Sequence, residues 1–487
     1  MLSQLLPGMP VPAIAIQGIC EDSRLVKGGD LFCAVAGENT DGRDHIAAAV
    51  GNGAVAVLSE EPLPEILNAV VPMFAVEGLR SRMSEIASRF YDHPSEALSV
   101  FAVTGTNGKT SYTHLLAQAL SSAKVKCGMI GTMGSGVYGE LTDPGLTTPA
   151  AIDLQRKIRG FVDSGCQAVV LEASSHGLAQ GRLDNVSVGT AVLTNITHDH
   201  LDYHRTFASY RKAKELLFHI ESVSHAVINV DDDFASDLTA GLGGSVRVTG
   251  YSLKKATDVS LVDKAATASG LEISVSVSND IVNARLPLFG TFNVQNVLAV
   301  IATLVSMGWS VSSIEASLEK LSPVAGRMDV LRRAGKATII VDYAHTPDAL
   351  EKALSAVREH FPERHVSCVF GCGGDRDVSK RPMMGMIASR FADRVVLTSD
   401  NPRSEKPEDI ILDIQAGVGA VDLHVNADRA AAIREAIDMA SENDIVVIAG
   451  KGHENYQELA SGKVPFSDYA VIDEVMRAGT VTNGEEK

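Results

Sequence analysis

The side chains that can do chemistry in this chain stand directly after apolar runs. The first group is Gly105-Thr106-Asn107-Gly108-Lys109-Thr110, which follows the apolar run at 99–103. It precedes a stretch with Leu115, Leu116, Ala119 and Leu120 on one helical face. Glycines there let backbone N–H groups turn inward on phosphate oxygens. Lys109 supplies a positive charge for β and γ phosphates, Thr110 a hydroxyl for a divalent cation, and a helix N-terminus favours the anion. The pattern is a shortened G-x-x-G-K-T, because Val103 stands where a full phosphate-loop motif wants its first glycine. The strand-loop-helix context nevertheless predicts ATP binding.

Glu172 closes the next apolar run, at 168–171, where a carboxylate for Mg²⁺ is common in phosphate-loop enzymes. On its own, a glutamate at a strand end is a solvated residue. A third run, 190–193, leads to Asn195 and to His198-Asp199-His200-Leu201-Asp202-Tyr203-His204. Mg²⁺ prefers oxygen ligands and the histidine spacing does not suit zinc, so composition leaves this cluster ambiguous. Further on, runs at 338–341, 366–370, 395–398 and 445–449 end in Asp342-Tyr343-Ala344-His345, Gly371–Arg376, Asp400–Arg403 and Gly450–Glu454. Ligands of open parallel sheets sit beyond the carboxyl ends of strands, so these loops share one functional edge.

The elements that must position these groups follow from the rhythm of the chain. At 487 residues it is too long for one ordinary domain. The expectation is an α/β protein of three domains. These are a small α/β N-terminal domain (1–98), a central phosphate-loop, mostly parallel sheet domain (99–330) and a C-terminal Rossmann-like α/β domain (331–487). In the first, 54–58 and 73–76 read as strands and 80–91 as a helix, which Asp92-His93-Pro94 breaks. Residues 482–487 read as a frayed tail.

Composition excludes some classes. A formal net charge of −17 argues against a nucleic-acid binder. The six cysteines are scattered, without a CxxC pair, and read as reduced, mostly buried thiols. The first positive charge is Arg24, so no basic leader is read and the expected location is the cytoplasm. The longest uncharged apolar stretch, 297–309, is shorter than the ~20 residues of a membrane span and reads as a buried helix.

Taken together, the stretches GTNGKT, LEASSHGL, DHLDYH, FNVQN, VDYAHTPDAL, GCGGDRD, SDNPR and GKGHENYQ resemble, in order and over nearly the whole chain, the Mur ligase family. These enzymes build the peptide of bacterial peptidoglycan. The resemblance implies an ATP-dependent, ADP-forming carboxylate–amine ligase working through an acyl phosphate with Mg²⁺. It implies Lys109, Glu172, His200 and Lys214 as catalytic residues, with Thr110 (or Ser111), Glu172, His200 and a carbamylated Lys214 serving metal. From the residues alone Lys214 is a solvated helix lysine, and Lys212 competes with it. ATP would further be held by Gly105–Thr110, Ser111, Asn293, Asn296, Arg327 and Asp342. For Asn293 a helix cap, and for Arg327 a linker charge, are the plain alternatives.

Within the family, the resemblance implies UDP-N-acetylmuramoyl-L-alanyl-D-glutamate and meso-2,6-diaminopimelate as substrates, and a monomer. The nucleotide-sugar peptide would be met by Ser23, Thr147, Thr148, Ser174, Gln180 and Arg182; contacts near Glu38-Asn39 are expected to differ from those of some relatives. Diaminopimelate would be met by Arg376, Asp400, Asn401, Pro402, Arg403, Gly450 and Glu454. Diaminopimelate differs from lysine by a second carboxylate, which calls for a planar, bidentate cation, and Arg403 is the expected one, buried in its site. Without the family, an N-P-R turn is a surface turn with a solvated arginine. The alternatives are the same reaction with L-lysine, a folylpolyglutamate synthetase-like ligase, a phosphate-loop switch or motor, and a non-catalytic nucleotide-binding scaffold.

Overall fold

The computed structural model describes residues 1–37, 40–61, 71–142 and 145–478. The tail expected at 482–487 and the pair Glu38-Asn39 lie outside the described residues. The chain gathers into two compact units, Met1–Val259 with Ala299–Trp309, and Ser260–Leu298 with Ser310–Lys487. Both are α/β, built on sheets in which parallel pairing predominates.

The first unit opens with a four-stranded parallel sheet in the order Gly18–Cys20, Asp30–Ala34, Ala56–Ser59, Met73–Ala75. The helix Leu79–Phe90 packs Leu79, Met83, Ile86 and Ala87 against Leu31, Cys33 and Leu58 of that sheet. These positions repeat at helical spacing, which is why the helix was legible, though it begins one residue earlier than expected.

The larger sheet of this unit runs Arg247–Ser252, His225–Asn229, Thr190–Leu193, Ser99–Thr104, Ala168–Glu172, Cys127–Gly131, Gly134–Val137. Its pairs are parallel except for the final antiparallel hairpin. Ser99–Thr104 is the first of these strands in the chain yet lies in the interior, with later strands on either side. The loop after it therefore opens at a switch point of the sheet.

In the second unit, the strands Val259–Thr267, Gly270–Val277 and Asp280–Leu286 are neighbours, the last two antiparallel. A six-stranded sheet follows in the order Asp329–Leu331, Thr338–Asp342, Ile445–Ala449, Val366–Phe370, Arg394–Leu397, Asp422–Val425. Only its first pair is antiparallel. Helices Pro347–His360, Lys380–Phe391 and Pro407–Gln415 cover one face through Leu350, Leu354, Met384 and Ile411. Helices Arg429–Asp438 and Asp468–Ala478 cover the other through Ile433, Ile437 and Ile472. This is the doubly wound arrangement expected of a Rossmann-like sheet.

The apolar stretch at 297–309 lies largely in the helix Thr291–Ser306, where Val297, Leu298, Val300 and Ile301 are fully buried. No described helix is long and apolar enough to cross a membrane. The six cysteines are free thiols, and all but Cys20 are buried.

Candidate active site

The phosphate loop is built by two glycines in the left-handed region. Gly105 has φ +150 and Gly108, which caps the helix Lys109–Ser122, has φ +88. A Cβ on Gly105 would lie 1.9 Å from Thr194 Oγ1, so the close approach of two loops also excludes any side chain there. That neighbouring loop comes from the strand Thr190–Leu193. Asn195 Oδ1 accepts from Asn107 N at 3.0 Å, and the Thr106 hydroxyl joins Tyr210 OH at 2.9 Å. Lys109 Nζ donates to Gly105 O at 2.8 Å and Thr106 O at 2.9 Å, which folds its charge over the loop. Thr110 and Ser111 are buried in the first helical turn.

Glu172 is not solvated: it is 1% exposed. Its Oε1 accepts from Thr132 N at 2.9 Å and its Oε2 from Thr132 Oγ1 at 3.1 Å. The absence of a Cβ on Gly131 makes room for it, since one would come within 2.3 Å of Oε1. The Thr132 hydroxyl also meets Thr147 Oγ1 at 3.1 Å, and Thr148 Oγ1 donates to the Glu172 carbonyl at 2.7 Å. Thr148 O in turn accepts from Arg182 Nη1 at 2.5 Å, while Ser174 caps its short helix by accepting from Gly177 N. Ser23, Gln180 and Arg182 line one cleft of about 600 Å³, together with His45 and Arg80. The structure thus gathers Ser23, Gln180 and Arg182 directly and links Thr147, Thr148 and Ser174 through the Glu172 strand end.

Lys214, expected from residues alone to be solvated, is 1% exposed. Its Nζ donates to Gly105 O at 2.7 Å and stands over the Tyr210 ring. Burial drives its ammonium well below the ordinary lysine range, and the charge of Lys109 adds to that effect. Lys212, on the same helix, is exposed. His200 occupies a left-handed position, φ +51, and its ring lies 4.9 Å from that of His176. Burial lowers its pKa; Asp199 opposes this, and Lys109 and Lys214 reinforce it. Among the described residues, no three His, Cys, Asp or Glu side chains converge as a metal site.

In the second unit, Asn293 and Asn296 are buried near the start of Thr291–Ser306. Asn293 is inside the helix rather than capping it, with Nδ2 donating to Phe289 O at 2.9 Å, and Asn296 Nδ2 donates to Asn293 Oδ1 at 3.1 Å. Asp342 accepts from Met328 N at 2.8 Å and Ala344 N at 2.9 Å. Burial pushes its carboxyl up to about 6, and Arg327 with the two backbone donors pulls the other way. Arg327 is stacked over the Tyr343 ring at 4.7 Å, not a free linker charge.

The residues expected to meet diaminopimelate stand at the carboxyl ends of neighbouring strands. Asp400, Asn401 and Pro402 are buried, and Asp400 Oδ2 would meet a Cβ on Gly450 at 2.4 Å. Glu454 accepts from Asn401 Nδ2 at 3.0 Å and from Lys451 Nζ at 2.8 Å. Burial raises the Glu454 carboxyl, but Lys451 and Asn401 outweigh it and hold it below its ordinary value. Arg403 corrects the expectation of a buried fork: its side chain is 22% exposed, and its Nε donates to Glu458 Oε2 at 2.8 Å. Its Nη1 donates to Gly374 O at 2.8 Å, and Nη2 has no hydrogen bond among the described residues. Arg376 is exposed, with Nη1 donating to Asp375 O.

Sequence reasoning missed Thr132, Lys451 and Glu458. Lys451 is fully buried and holds both Asn401 Oδ1 and Glu454. Its placement in Gly-Lys-Gly directly after an apolar strand was the available signal. Nothing local marks Glu458 as the partner of Arg403, 55 residues away in the chain.

A glycine loop opening from the switch point of a parallel sheet, with a buried carboxylate beside it, defines an α/β enzyme of the phosphate-loop class. Three family models match the chain: "Mur ligase family, catalytic domain" over 15–91, "Mur ligase middle domain" over 103–304 and "Mur ligase, glutamate ligase domain" over 326–452. The chain is 46% identical over 482 residues to the UDP-N-acetylmuramoyl-L-alanyl-D-glutamate–2,6-diaminopimelate ligase of Chromobacterium violaceum, covering 98% of this chain and 96% of that one. It is 44% identical over 485 residues to the ligase of the same name from Xanthomonas oryzae pv. oryzae, covering 99% and 98%. A solved structure of a ligase bearing that name matches with a TM-score of 0.72 and 34% identity, covering 99% of both chains. The chain belongs to the Mur ligase family, ATP-dependent enzymes that join an amine to a carboxylate with release of ADP.

Proposed function

We propose that this chain adds meso-2,6-diaminopimelate to UDP-N-acetylmuramoyl-L-alanyl-D-glutamate, a step of peptidoglycan synthesis. The observation that carries the reading is the Asp400–Arg403 turn. It holds a guanidinium at the strand edge of a chain related, end to end, to ligases named for diaminopimelate. In this reading residues 1–98 bind the nucleotide sugar, 99–330 bind ATP and 331–487 bind the amino acid. The enzyme is a monomer working in the cytoplasm.

The chemistry starts from a poor electrophile. A carboxylate oxygen of the dipeptide attacks the γ-phosphorus of ATP, the bond to the β-phosphate oxygen breaks, and ADP leaves. The amine of diaminopimelate then attacks the acyl carbon, loses a proton, and expels inorganic phosphate. Two anions meet in the first step, so Lys109 and the loop N–H groups must screen the phosphates. Ser23, Gln180 and Arg182 hold the nucleotide-sugar peptide in their cleft, and Thr147, Thr148 and Ser174 join in binding it. Asn293, Asn296, Arg327 and Asp342 orient the nucleotide, and Arg376, Asn401, Arg403 and Glu454 the amino acid.

Residue chemistry fits Mg²⁺ through oxygen donors from Thr110 and Glu172, with one ring nitrogen beside them. Thr110 offers a hydroxyl, Glu172 a carboxylate with lone pairs beyond those used by Thr132, and His200 a neutral ring nitrogen. Lys214 joins the set only as a carbamate. Its buried amine hydrogen-bonds the Gly105 carbonyl, with burial and Lys109 disfavouring its charge against the opposing pull of Asp199, and takes up CO₂ with loss of a proton. Bound Mg²⁺ would neutralise charge on the phosphates.

The test is phosphate release with ATP, the UDP-linked dipeptide and one amino acid at a time. Release with diaminopimelate but not with L-lysine supports the proposal; release with lysine alone refutes its specificity, and release without any amino acid favours a nucleotide switch.

A further inference from the structure

The loop Gly371–Arg376 and the turn Asp400–Glu405 carry the two arginines assigned above to the amine substrate, and each contains a non-glycine residue in the left-handed region. Asp375 has φ +53 and Arg403 has φ +51. Such conformations persist only where the surroundings over-determine them. Here the two segments are bonded across: Gly374 N donates to Asn401 O at 3.0 Å, Arg403 Nη1 to Gly374 O, and Ser404 Oγ to Asp375 Oδ1 at 2.6 Å. Behind them lies Arg381, whose side chain is 2% exposed. Its Nη2 donates to Glu405 Oε1 at 2.8 Å and to Gly373 O at 3.3 Å, and its Nη1 to Asp413 Oδ2 at 2.9 Å. The same Glu405 oxygen accepts from Asp375 N at 2.5 Å. One guanidinium thus reaches both segments, the loop through Gly373 O and the turn through the Glu405 carboxylate, which in turn holds Asp375 N. A buried cation is costly unless it is paired, and the two terminal nitrogens of this planar fork reach three acceptors in a way an ammonium does not, while Nε has no partner among the described residues.

We propose that Arg381 and Glu405 form a positioning clamp that fixes the loops bearing Arg376 and Arg403 against each other, and thereby sets the affinity for the carboxylates of the amine substrate. The inference rests on the proposed function, since it concerns the same amine-binding loops. Arg381 does not touch substrate; it acts through the loops.

The experiment is an initial-rate analysis of the full-length enzyme with ATP, the UDP-linked dipeptide and diaminopimelate varied in turn. Glu405→Ala is expected to raise the KM for diaminopimelate about tenfold or more while kcat changes less than about threefold. Both other KM values stay within about twofold. Glu405→Gln, which keeps an acceptor oxygen, recovers part of the loss. Arg381→Lys does not, because the ammonium cannot span Glu405, Gly373 O and Asp413 together. Should Arg381→Lys fail to fold, Ser404→Ala, at an exposed position, replaces it, with an expected rise in the same KM of about threefold. A folded Glu405→Ala enzyme with unchanged KM for diaminopimelate overturns the clamp. So does one whose three KM values rise together, which marks a merely structural role. If the wild-type enzyme makes no product with diaminopimelate, the proposed function fails first and the clamp falls with it.

Discussion

Lys214 Nζ donates to the carbonyl oxygen of Gly105 at 2.7 Å, so a lysine on a distant helix is buried against the first glycine of the phosphate loop. Burial and the charge of Lys109 favour the neutral amine over the opposing pull of Asp199, and the neutral amine is the form that reacts with CO₂. The intact protein, kept near neutral pH under CO₂, is therefore expected to carry the added mass of one CO₂, lost on acidification. Lys214→Arg, which cannot form that carbamate, should lower turnover by about 10²-fold or more. An unmodified mass together with full activity of the variant contradicts the assignment.

Lys109 Nζ donates to the carbonyl oxygens of Gly105 and Thr106 in its own loop, which places its charge at the mouth of that loop. Lys109→Ala is expected to reduce phosphate release by about 10³-fold, as for loss of a charge aimed at a transferring phosphoryl group. Its thermal midpoint should stay close to that of the wild type. Steady-state phosphate release and a melting curve on the same preparation check both halves.

Arg403 is anchored through Nε and Nη1, which fixes the plane of its fork. Arg403→Lys should raise the KM for diaminopimelate by about 10²-fold, or roughly 3 kcal/mol, and leave the KM for ATP unchanged. The ratio of activities with diaminopimelate and lysine should fall as well. Equal losses with both amino acids would show that Arg403 does not read the second carboxylate.

Asp342 gives a pH signature. Its carboxyl is pushed up to about 6 by burial, against a starting value of 3.8. The stabilising contribution of the protonated form is complete below the unfolded value and is lost as pH rises through the folded one. Denaturant unfolding should show wild-type stability falling between about pH 4 and pH 6 by up to about 3 kcal/mol relative to Asp342→Asn, which cannot titrate. Parallel pH profiles for the two proteins would contradict the shift.

Strands were legible where they are continuous apolar runs ended by polar residues. Thr190–Leu193, Val366–Phe370 and Ile445–Ala449 lie where the sequence places them. Arg394–Leu397 begins one residue before its expected start, because the polar Arg394 joins the ladder and is tied to Asp422. Gly270–Val277 and Asp280–Leu286 were not read as strands, since their alternating polar and apolar residues make no continuous run. At the site, residue types alone gave the phosphate loop. The burial of Lys214 and Glu172 and the ion pair of Arg403 with Glu458 depend on contacts far apart in the chain, which no local pattern carries.

The most direct test of the central claim is the mass of the product formed from ATP, UDP-N-acetylmuramoyl-L-alanyl-D-glutamate and an equimolar mixture of diaminopimelate and L-lysine. The account predicts a UDP-linked tripeptide carrying diaminopimelate, formed in step with ADP and phosphate. A product carrying lysine, or ADP formed with no new peptide, would contradict it.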